Sequence, residues 1–302
     1  MSVREVVHSA SEVRAEPWSF PVRDRVRDYL QLAKARLSSM VLLSALVGYW
    51  IASRELIFGH LLWFAAGTFL VVAGANAFNQ ILERDSDARM DRTAGRPLPS
   101  GRVQVPEAML FASVASVAGV GILFMTSGPL CGVLALVALA TYVLVYTPMK
   151  SRSAWSTVPG AVAGAIPPLM GVSAAQGSLG PLAWCMFGIL FFWQFPHTWA
   201  IASTYRDDYA RVGYRAMPQR GTRLRTILAT LALVAASLIP AVLGLAGTLY
   251  LYGAVILGGF VLVAAARFDD GTLKPRAVQL LAASLFYLPL VLALLALDGK
   301  VA

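Results

Sequence analysis

The chain has 302 residues, 58% of them hydrophobic and only 14% charged, with a net charge of +9 at neutral pH and a mean hydropathy of +0.66. That balance excludes a soluble globular domain. It also removes the need for a nucleic-acid partner, because the 25 Lys/Arg fall between apolar runs, where membrane topology explains them.

Residues 1–36 carry no apolar core, so no signal peptide is expected. Within this basic arm, 22–36 (VRDRVRDYLQLAKAR) reads as an amphipathic helix at the membrane interface. Nine apolar runs follow, at about 37–53, 60–82, 105–126, 129–147, 155–175, 179–204, 226–246, 249–266 and 277–297. At 1.5 Å per residue, runs of roughly 18–25 residues cross a bilayer. With alternating spans, one side receives 1–36 and the loops near 83–104, 148–154, 205–225 and 267–276, which together hold 23 of the 25 Lys/Arg. The other side receives only Arg54 and Lys300. This positive-inside pattern predicts a cytoplasmic N-terminus and an external C-terminus. The expected fold is therefore an all-α polytopic bundle of nine transmembrane helices around a cavity open near the cytoplasmic face. Residues 1–36 would be a cytoplasmic arm and 37–302 a single membrane domain.

Two spans carry helix-disturbing residues. Gly160 and Gly164, with Pro159, Pro167 and Pro168, give the fifth a small-residue face suited to close helix packing. Phe195-Pro196-His197 is expected to interrupt the sixth. Cys131 and Cys185 lie inside spans without a CxxC pattern and read as small core residues.

The most informative segment closes the second span: Asn79-Gln-Ile-Leu-Glu83-Arg-Asp85-Ser-Asp87-Ala-Arg-Met-Asp91-Arg92-Thr-Ala-Gly-Arg96. If the helix continues through it, Asn79, Glu83, Asp87 and Asp91 recur every four residues on one face. Each like-charged pair at that spacing costs a helix roughly 0.2–0.5 kcal/mol, so stacked acids at a membrane boundary point to a divalent cation. Mg²⁺ takes one or two carboxylates plus substrate phosphates, and the arginines that follow suit phosphate oxygens. Asp85 is set aside as a partner for Arg89.

A second cluster ends the sixth span: Trp193-Gln-Phe-Pro-His197, then Thr204-Tyr-Arg-Asp207-Asp208-Tyr209-Ala-Arg211. In a continuous helix His197, Ile201, Thr204 and Asp208 share a face, with His197 about 16 Å deeper than Asp208. An ionisable residue within a span is a functional candidate by default; a histidine satisfied by a neighbouring carbonyl is its rival. Tyr146-Thr-Pro-Met-Lys150-Ser-Arg152 adds cations on the same side. Acids and cations around one mouth of a helical bundle suggest metal-dependent handling of a diphosphate whose hydrophobic tail lies in the membrane. A transporter is the rival of a different class, and would place ionisable or broken-helix features at the midplane of two repeated halves.

These residues resemble the UbiA superfamily of intramembrane prenyltransferases. Asn79-Gln-x-x-Glu83-x-x-x-Asp87 followed by Met90-x-Arg92-Thr93-x-x-Arg96-Pro97-Leu98 is similar to its first Asp-rich motif. Glu83 in place of Asp, together with Trp193-Gln-Phe-Pro-His197, Arg206-Asp-Asp-Tyr209-Ala-Arg-Val-Gly213, Tyr146-Thr-Pro-Met-Lys150 and Gly164-Ala-Ile-Pro167-Pro168, is similar to the branch that farnesylates haem. The resemblance implies transfer of farnesyl from farnesyl diphosphate to a vinyl carbon of haem b, with addition of water, giving haem O. It implies that Asn79, Glu83 and Asp87 serve Mg²⁺ and diphosphate, and that Asp207 and Asp208 serve a second metal or phosphate site, Asp208 being a metal ligand with Glu83 and Asp87. Arg92, Arg96, Lys150 and Arg152 would hold the diphosphate, and His197 would face the porphyrin. It further implies a bacterial inner-membrane location, with a haem A synthase or terminal oxidase as the class of partner receiving the product. A relative acting on a quinone-precursor aromatic is the nearest alternative. Three residues depart from the pattern: Ala35 stands where Pro is usual, Ser151 where a base is common, and Ser156 where Asn is frequent.

Overall fold

The computed structural model of the chain describes residues 22–215, 221–269 and 274–299; most of the basic arm, residues 1–21, lies outside them, as do both chain ends. The regular secondary structure of the described residues is helical, apart from one isolated bridge between Ala246 and Gly299. The helices are α1 (Val22–Leu32), α2 (Ala35–Ala52), α3 (Phe58–Leu82), α4 (Val105–Ser127) and α5 (Pro129–Ala140, prolonged to Met149). They continue with α6 (Thr157–Gln176), α7 (Pro181–Thr204), the short α8 (Arg206–Val212), α9 (Thr222–Val242), α10 (Thr248–Arg267) and α11 (Lys274–Asp298).

Among the described residues eight helices are long and apolar enough to cross a membrane: α2 to α6 and α9 to α11. The remaining long helix, α7, has 24 residues and is less apolar because its second half carries Trp193, Gln194, Pro196, His197 and Thr198. Most boundaries fall within three residues of the hydropathy reading. The exception is α9, which starts at Thr222 because Arg223 and Arg225 are helical yet invisible to an apolar window. It ends before Gly244, whose φ of 71° opens the next turn.

Successive helices pack on one another from α3 to α7, then α7 on α9, α9 on α10 and α10 on α11; α11 returns to α7 and α2. One core cluster joins α7, α9, α10 and α11 around Met186, Leu233, Tyr250 and Tyr287. A second joins α2, α3, α4, α5 and α6 around Tyr49, Phe64, Leu123 and Met170. Large apolar side chains such as Leu110, Val117, Met125, Ile256 and Phe260 point outward, as they should when lipid replaces water. Both cysteines are free and buried in helices.

The small residues act by letting backbones meet. A Cβ on Gly171 of α6 would overlap Ala45 O and the Tyr49 amide of α2, and one on Gly119 would crowd Val71 N and Gly67 O of α3. Backbone cannot rotate away as a side chain can, so Gly171→Ala should cost about 1–3 kcal/mol, as overpacking does. It should lower the thermal midpoint of the purified protein; an unchanged midpoint would contradict the close approach. Gly160 faces the Tyr146 ring and Gly164 the Gln194 amide, which fits packing as their role. Neither the proline pair nor the single proline breaks its helix: α6 runs through Pro167 and Pro168, and α7 runs through Pro196. The expected interruption at Phe195–His197 is therefore absent. Neighbouring helices enclose this stretch, which lets the helix tolerate proline.

Helix α1 is amphipathic as its sequence predicts. Val22, Val26 and Leu30 form an exposed stripe, while Asp28 and Leu32 are buried. Its polar face is tied to the loop after the acidic segment: Arg102 donates to Asp28 at 2.8 Å and to Gln31 at 3.2 Å. Arg25 pairs with Glu107 at 3.1 Å, and Tyr29 donates to the same carboxylate at 2.6 Å.

Candidate active site

Four segments far apart in sequence meet at one end of the bundle: the α1–α2 junction, the loop after α3, the end of α5 and the α7–α8 turn. Helix α3 stops at Leu82, with Glu83 at its C-cap and a four-residue helical turn, Arg84–Asp87, beyond it. The backbone still bonds every four residues, Glu83 N to Asn79 O at 2.9 Å and Asp87 N to Glu83 O at 2.7 Å. Asn79, Glu83 and Asp87 thus share one wall, and all three are buried. Asp91 departs from it. The chain turns after Asp87, and Asp91 is exposed and paired with Arg211 at 2.7 Å; the expected run of four residues on one continuous helix ends at three. The Asp91–Arg211 pair holds the Asp91 carboxyl below its ordinary range, first through its hydrogen bond.

Asp85 also differs from expectation. Its carboxylate pairs with Arg84 at 3.0 Å, and Arg89 reaches only its main-chain carbonyl, at 3.3 Å. Both groups lie at the surface, where such pairs contribute little.

Each interior acid has its own cation. Lys150 Nζ lies 2.7 Å from Glu83 Oε1, and Arg96 pairs with Asp87 Oδ2. Burial alone would raise the Glu83 pKa, but Lys150 and then Lys34 hold it below the usual range. Burial would likewise lower Lys150, and Glu83 overrides it to keep that ammonium well above its ordinary value. The Lys150 ammonium also sits over the rings of Tyr146 at 4.8 Å and Tyr214 at 5.7 Å, and its carbonyl accepts from Arg215 N at 2.8 Å.

Lys34 was not among the residues picked out by motif. It precedes α2 with φ 46° and ψ 53°, a left-handed conformation that among the described residues no other non-glycine adopts. An L-residue there costs about 1–2 kcal/mol. This geometry sends its ammonium to Asn79 Oδ1 at 2.7 Å. Asn79 Nδ2 donates in turn to Thr147 Oγ1 at 3.1 Å, and Thr147 donates to Tyr142 O at 2.8 Å. The last of these bonds spans a π-helical stretch, Thr141–Tyr146, a local widening often found at functional sites. Burial, and after it the charge of Arg96, draws the Lys34 pKa down to about 7. Lys34, Arg96 and Lys150 thus surround only two carboxylates, Glu83 and Asp87. The surplus charge suits an anion.

The second acidic cluster reaches the first. Helix α7 ends at Thr204, the chain turns at Tyr205 (φ −114°, ψ 39°), and α8 restarts at Arg206. His197 and Asp208 therefore do not lie on one continuous helix. The break lets α8 fold under the acidic loop, where Asp208 Oδ1 accepts from Asp91 N at 3.2 Å and lies 3.5 Å from Arg211. Asp208 is buried, whereas Asp207 faces outward. Arg92 packs over the rings of Tyr205 at 4.6 Å and Tyr209 at 5.8 Å, and Arg152 is exposed. His197 lies within the bundle, stacked on Trp193 and bonded to Ser284 of α11.

No three His, Cys, Asp or Glu side chains converge as a ready metal cage among the described residues. One oxygen nevertheless fits a hard cation: Asp87 Oδ1 is buried with no hydrogen-bond donor, while Oδ2 takes Arg96. A buried carboxylate oxygen without a donor is costly. A cation completed by substrate oxygens would relieve it, which is how Mg²⁺ binds in phosphate-handling sites.

Residues 41–288 match the UbiA prenyltransferase family. The chain belongs to that family. Membership covers every membrane-length helix except the first turns of α2 and the end of α11. A relative from Solibacter usitatus, named protoheme IX farnesyltransferase, is 41% identical over 90% of this chain and 99% of its own length. Among solved structures, digeranylgeranylglyceryl phosphate synthase shares the UbiA fold with a TM-score of 0.77 at 18% identity, over 91% of this chain and 98% of that one. A UbiA homologue from Archaeoglobus fulgidus bound to GPP and Mg²⁺ superposes with a TM-score of 0.60 at 16% identity, over 88% and 99% of the two chains.

Proposed function

We propose that this chain transfers the farnesyl group of farnesyl diphosphate to a vinyl carbon of haem b, with addition of water, giving haem O and diphosphate. The single observation that carries the site assignment is the surplus of half-buried cations around the buried Glu83 and Asp87, with Asp87 Oδ1 left open. It supplies both halves of diphosphate recognition, ammonium and guanidinium groups for the phosphates and carboxylates for a metal. The acceptor and the prenyl donor follow from the name of the 41% identical relative, and Mg²⁺ from the UbiA homologue bound to it.

In this reading Glu83, Asp87 and Asp208 hold Mg²⁺, and Asn79 anchors Lys34 beside them. When bound, the metal supplies positive charge that stabilises the departing diphosphate. Lys34, Lys150 and Arg96 meet the phosphate oxygens, and Arg92 and Arg152 extend that set at the mouth. Asp207 serves the outer side of the same cluster. As the C1–O bond of the donor breaks, its electron pair leaves with diphosphate, which the three half-buried cations stabilise. The vinyl carbon of the porphyrin supplies the pair for the new C–C bond. Water adds at the neighbouring carbon and releases a proton. Helices α7 and α11 present His197 to the porphyrin, and the farnesyl tail extends toward the apolar interior of the membrane below the mouth.

The charge distribution supports nine spans, with α7 as the sixth, and a mouth facing the cytoplasm of a bacterial inner membrane, where a soluble diphosphate donor is available. Residues 1–36 act as the cytoplasmic arm, and a haem A synthase or terminal oxidase receives the product. Membranes containing the protein, supplied with farnesyl diphosphate and with haem b or a hydroxybenzoate in parallel, should yield the haem O mass alone. A prenylated benzoate would favour a quinone-precursor enzyme, and flux without covalent product a transporter.

A further inference from the structure

His197 is the polar side chain that diphosphate chemistry leaves unexplained. Its ring stacks on Trp193 with centroids 4.3 Å apart and an interplanar angle of 18°. Its Nδ1 lies 2.9 Å from Ser284 Oγ on α11. Ser284 is fully buried, and its hydroxyl also lies 2.8 Å from Leu281 O. A hydroxyl has one proton to give, and a carbonyl oxygen only accepts. Both contacts are hydrogen bonds in one arrangement alone: Ser284 donates to Leu281 O, and the imidazole donates its Nδ1–H to Ser284 Oγ. In the opposite arrangement the Leu281 contact loses its proton. The neutral ring then carries its lone pair on Nε2, which receives no hydrogen bond from any described residue. Ser284 holds the partner ring as well, since Trp193 Nε1 donates to the Ser284 carbonyl at 2.8 Å. Ring plane and ring tautomer therefore both depend on one residue of α11.

We infer that Ser284 is a positioning residue that locks His197 in the Nδ1–H tautomer, so that Nε2 is the axial ligand of the substrate porphyrin's iron. This rests on the haem-acceptor reading above. Neutral imidazole nitrogen is an ordinary ligand of haem iron, and ligating histidines nearly always donate their other N–H to a fixed acceptor. The stack on Trp193 removes the freedom to rotate that an isolated histidine would have to lose on binding. Iron ligation fixes the centre of the macrocycle and leaves its vinyl edge for the donor.

The test uses the full-length protein in nanodiscs, titrated with haem b and separately with metal-free protoporphyrin IX. Wild type should give the resonance Raman and electron paramagnetic resonance signatures of histidine-ligated haem. Ser284→Ala should weaken haem binding about 10–100-fold, the usual effect of losing such a partner, and should alter the iron–nitrogen signature. Ser284→Thr, which keeps the hydroxyl, should restore both. His197→Ala should lose the signature. Protoporphyrin IX, having no iron, should bind all variants as it binds wild type, and an unchanged affinity for farnesyl diphosphate should accompany each. A Ser284→Ala protein with wild-type haem spectrum and affinity would overturn the tautomer lock. Equal losses for haem and protoporphyrin IX would also overturn it, by reducing Ser284 to packing. Wild type that binds haem without a histidine-ligated spectrum overturns the ligation but spares the haem acceptor. Wild type that binds neither porphyrin overturns the acceptor reading itself.

Discussion

Asp87→Asn is expected to lower the rate of farnesyl transfer by about 10²–10³-fold, the loss typical when one preorganised electrostatic group is removed. The substitution keeps the side-chain volume and removes only the charge. Asp87 is fully buried, its Oδ2 neutralises Arg96, and its Oδ1 has no donor among the described residues. Without the carboxylate, Arg96 keeps no anion and the cation position loses a hard oxygen. Breaking a fully buried ion pair costs about 3–5 kcal/mol. The Arg96 side chain, however, is 28% exposed and can turn to water, so about 1–3 kcal/mol is expected here. The protein should still insert and purify. A wild-type rate of haem O formation by Asp87→Asn would remove this residue from the site.

Lys34→Gly should separate function from stability. Lysine at φ 46° holds about 1–2 kcal/mol of backbone strain, which glycine does not incur. The variant also removes a buried ammonium whose pKa is drawn down to about 7 by burial and then by Arg96. Because the unfolded lysine titrates near 10.5 and the folded one near 7, the unfolded chain binds more protons between those values, and this group's penalty falls as pH rises through that window. Against these gains stands the loss of one charge-assisted bond to Asn79. The thermal midpoint should hold or rise. The KM for farnesyl diphosphate should rise about 10–100-fold, the equivalent of a charged hydrogen bond of about 1.5–3 kcal/mol. An unchanged KM would mean that Lys34 does not meet the diphosphate, and a large fall in midpoint would mean that its role is structural.

The bundle is legible in the sequence because lipid demands long apolar runs. The acids at 83–87 are legible because like charges at helical spacing have no structural use, whereas Asp207 and Asp208 stand out only through the resemblance of the segment around them. The remainder of the site depends on tertiary geometry. Lys34 carries no local signal: its left-handed backbone follows from the junction of α1 and α2, and its partner is 45 residues away. Thr147 and Tyr142 join through a π-helical stretch that hydropathy reads as ordinary helix. The turns after Asp87 and at Tyr205 lie in polar segments where helical periodicity looks unbroken, and they decide that Asp91 turns outward while Asp208 turns in. Ser284 sits in the last long helix, among apolar residues, with no motif to mark it.

The most direct measurement is product formation by the purified protein with farnesyl diphosphate and haem b, before and after stripping divalent metal with a chelator and restoring Mg²⁺. Haem O and diphosphate should form in equal amounts, be lost on chelation and recover with Mg²⁺. Haem O formed at an undiminished rate without divalent metal, or diphosphate released with no haem O, would contradict it.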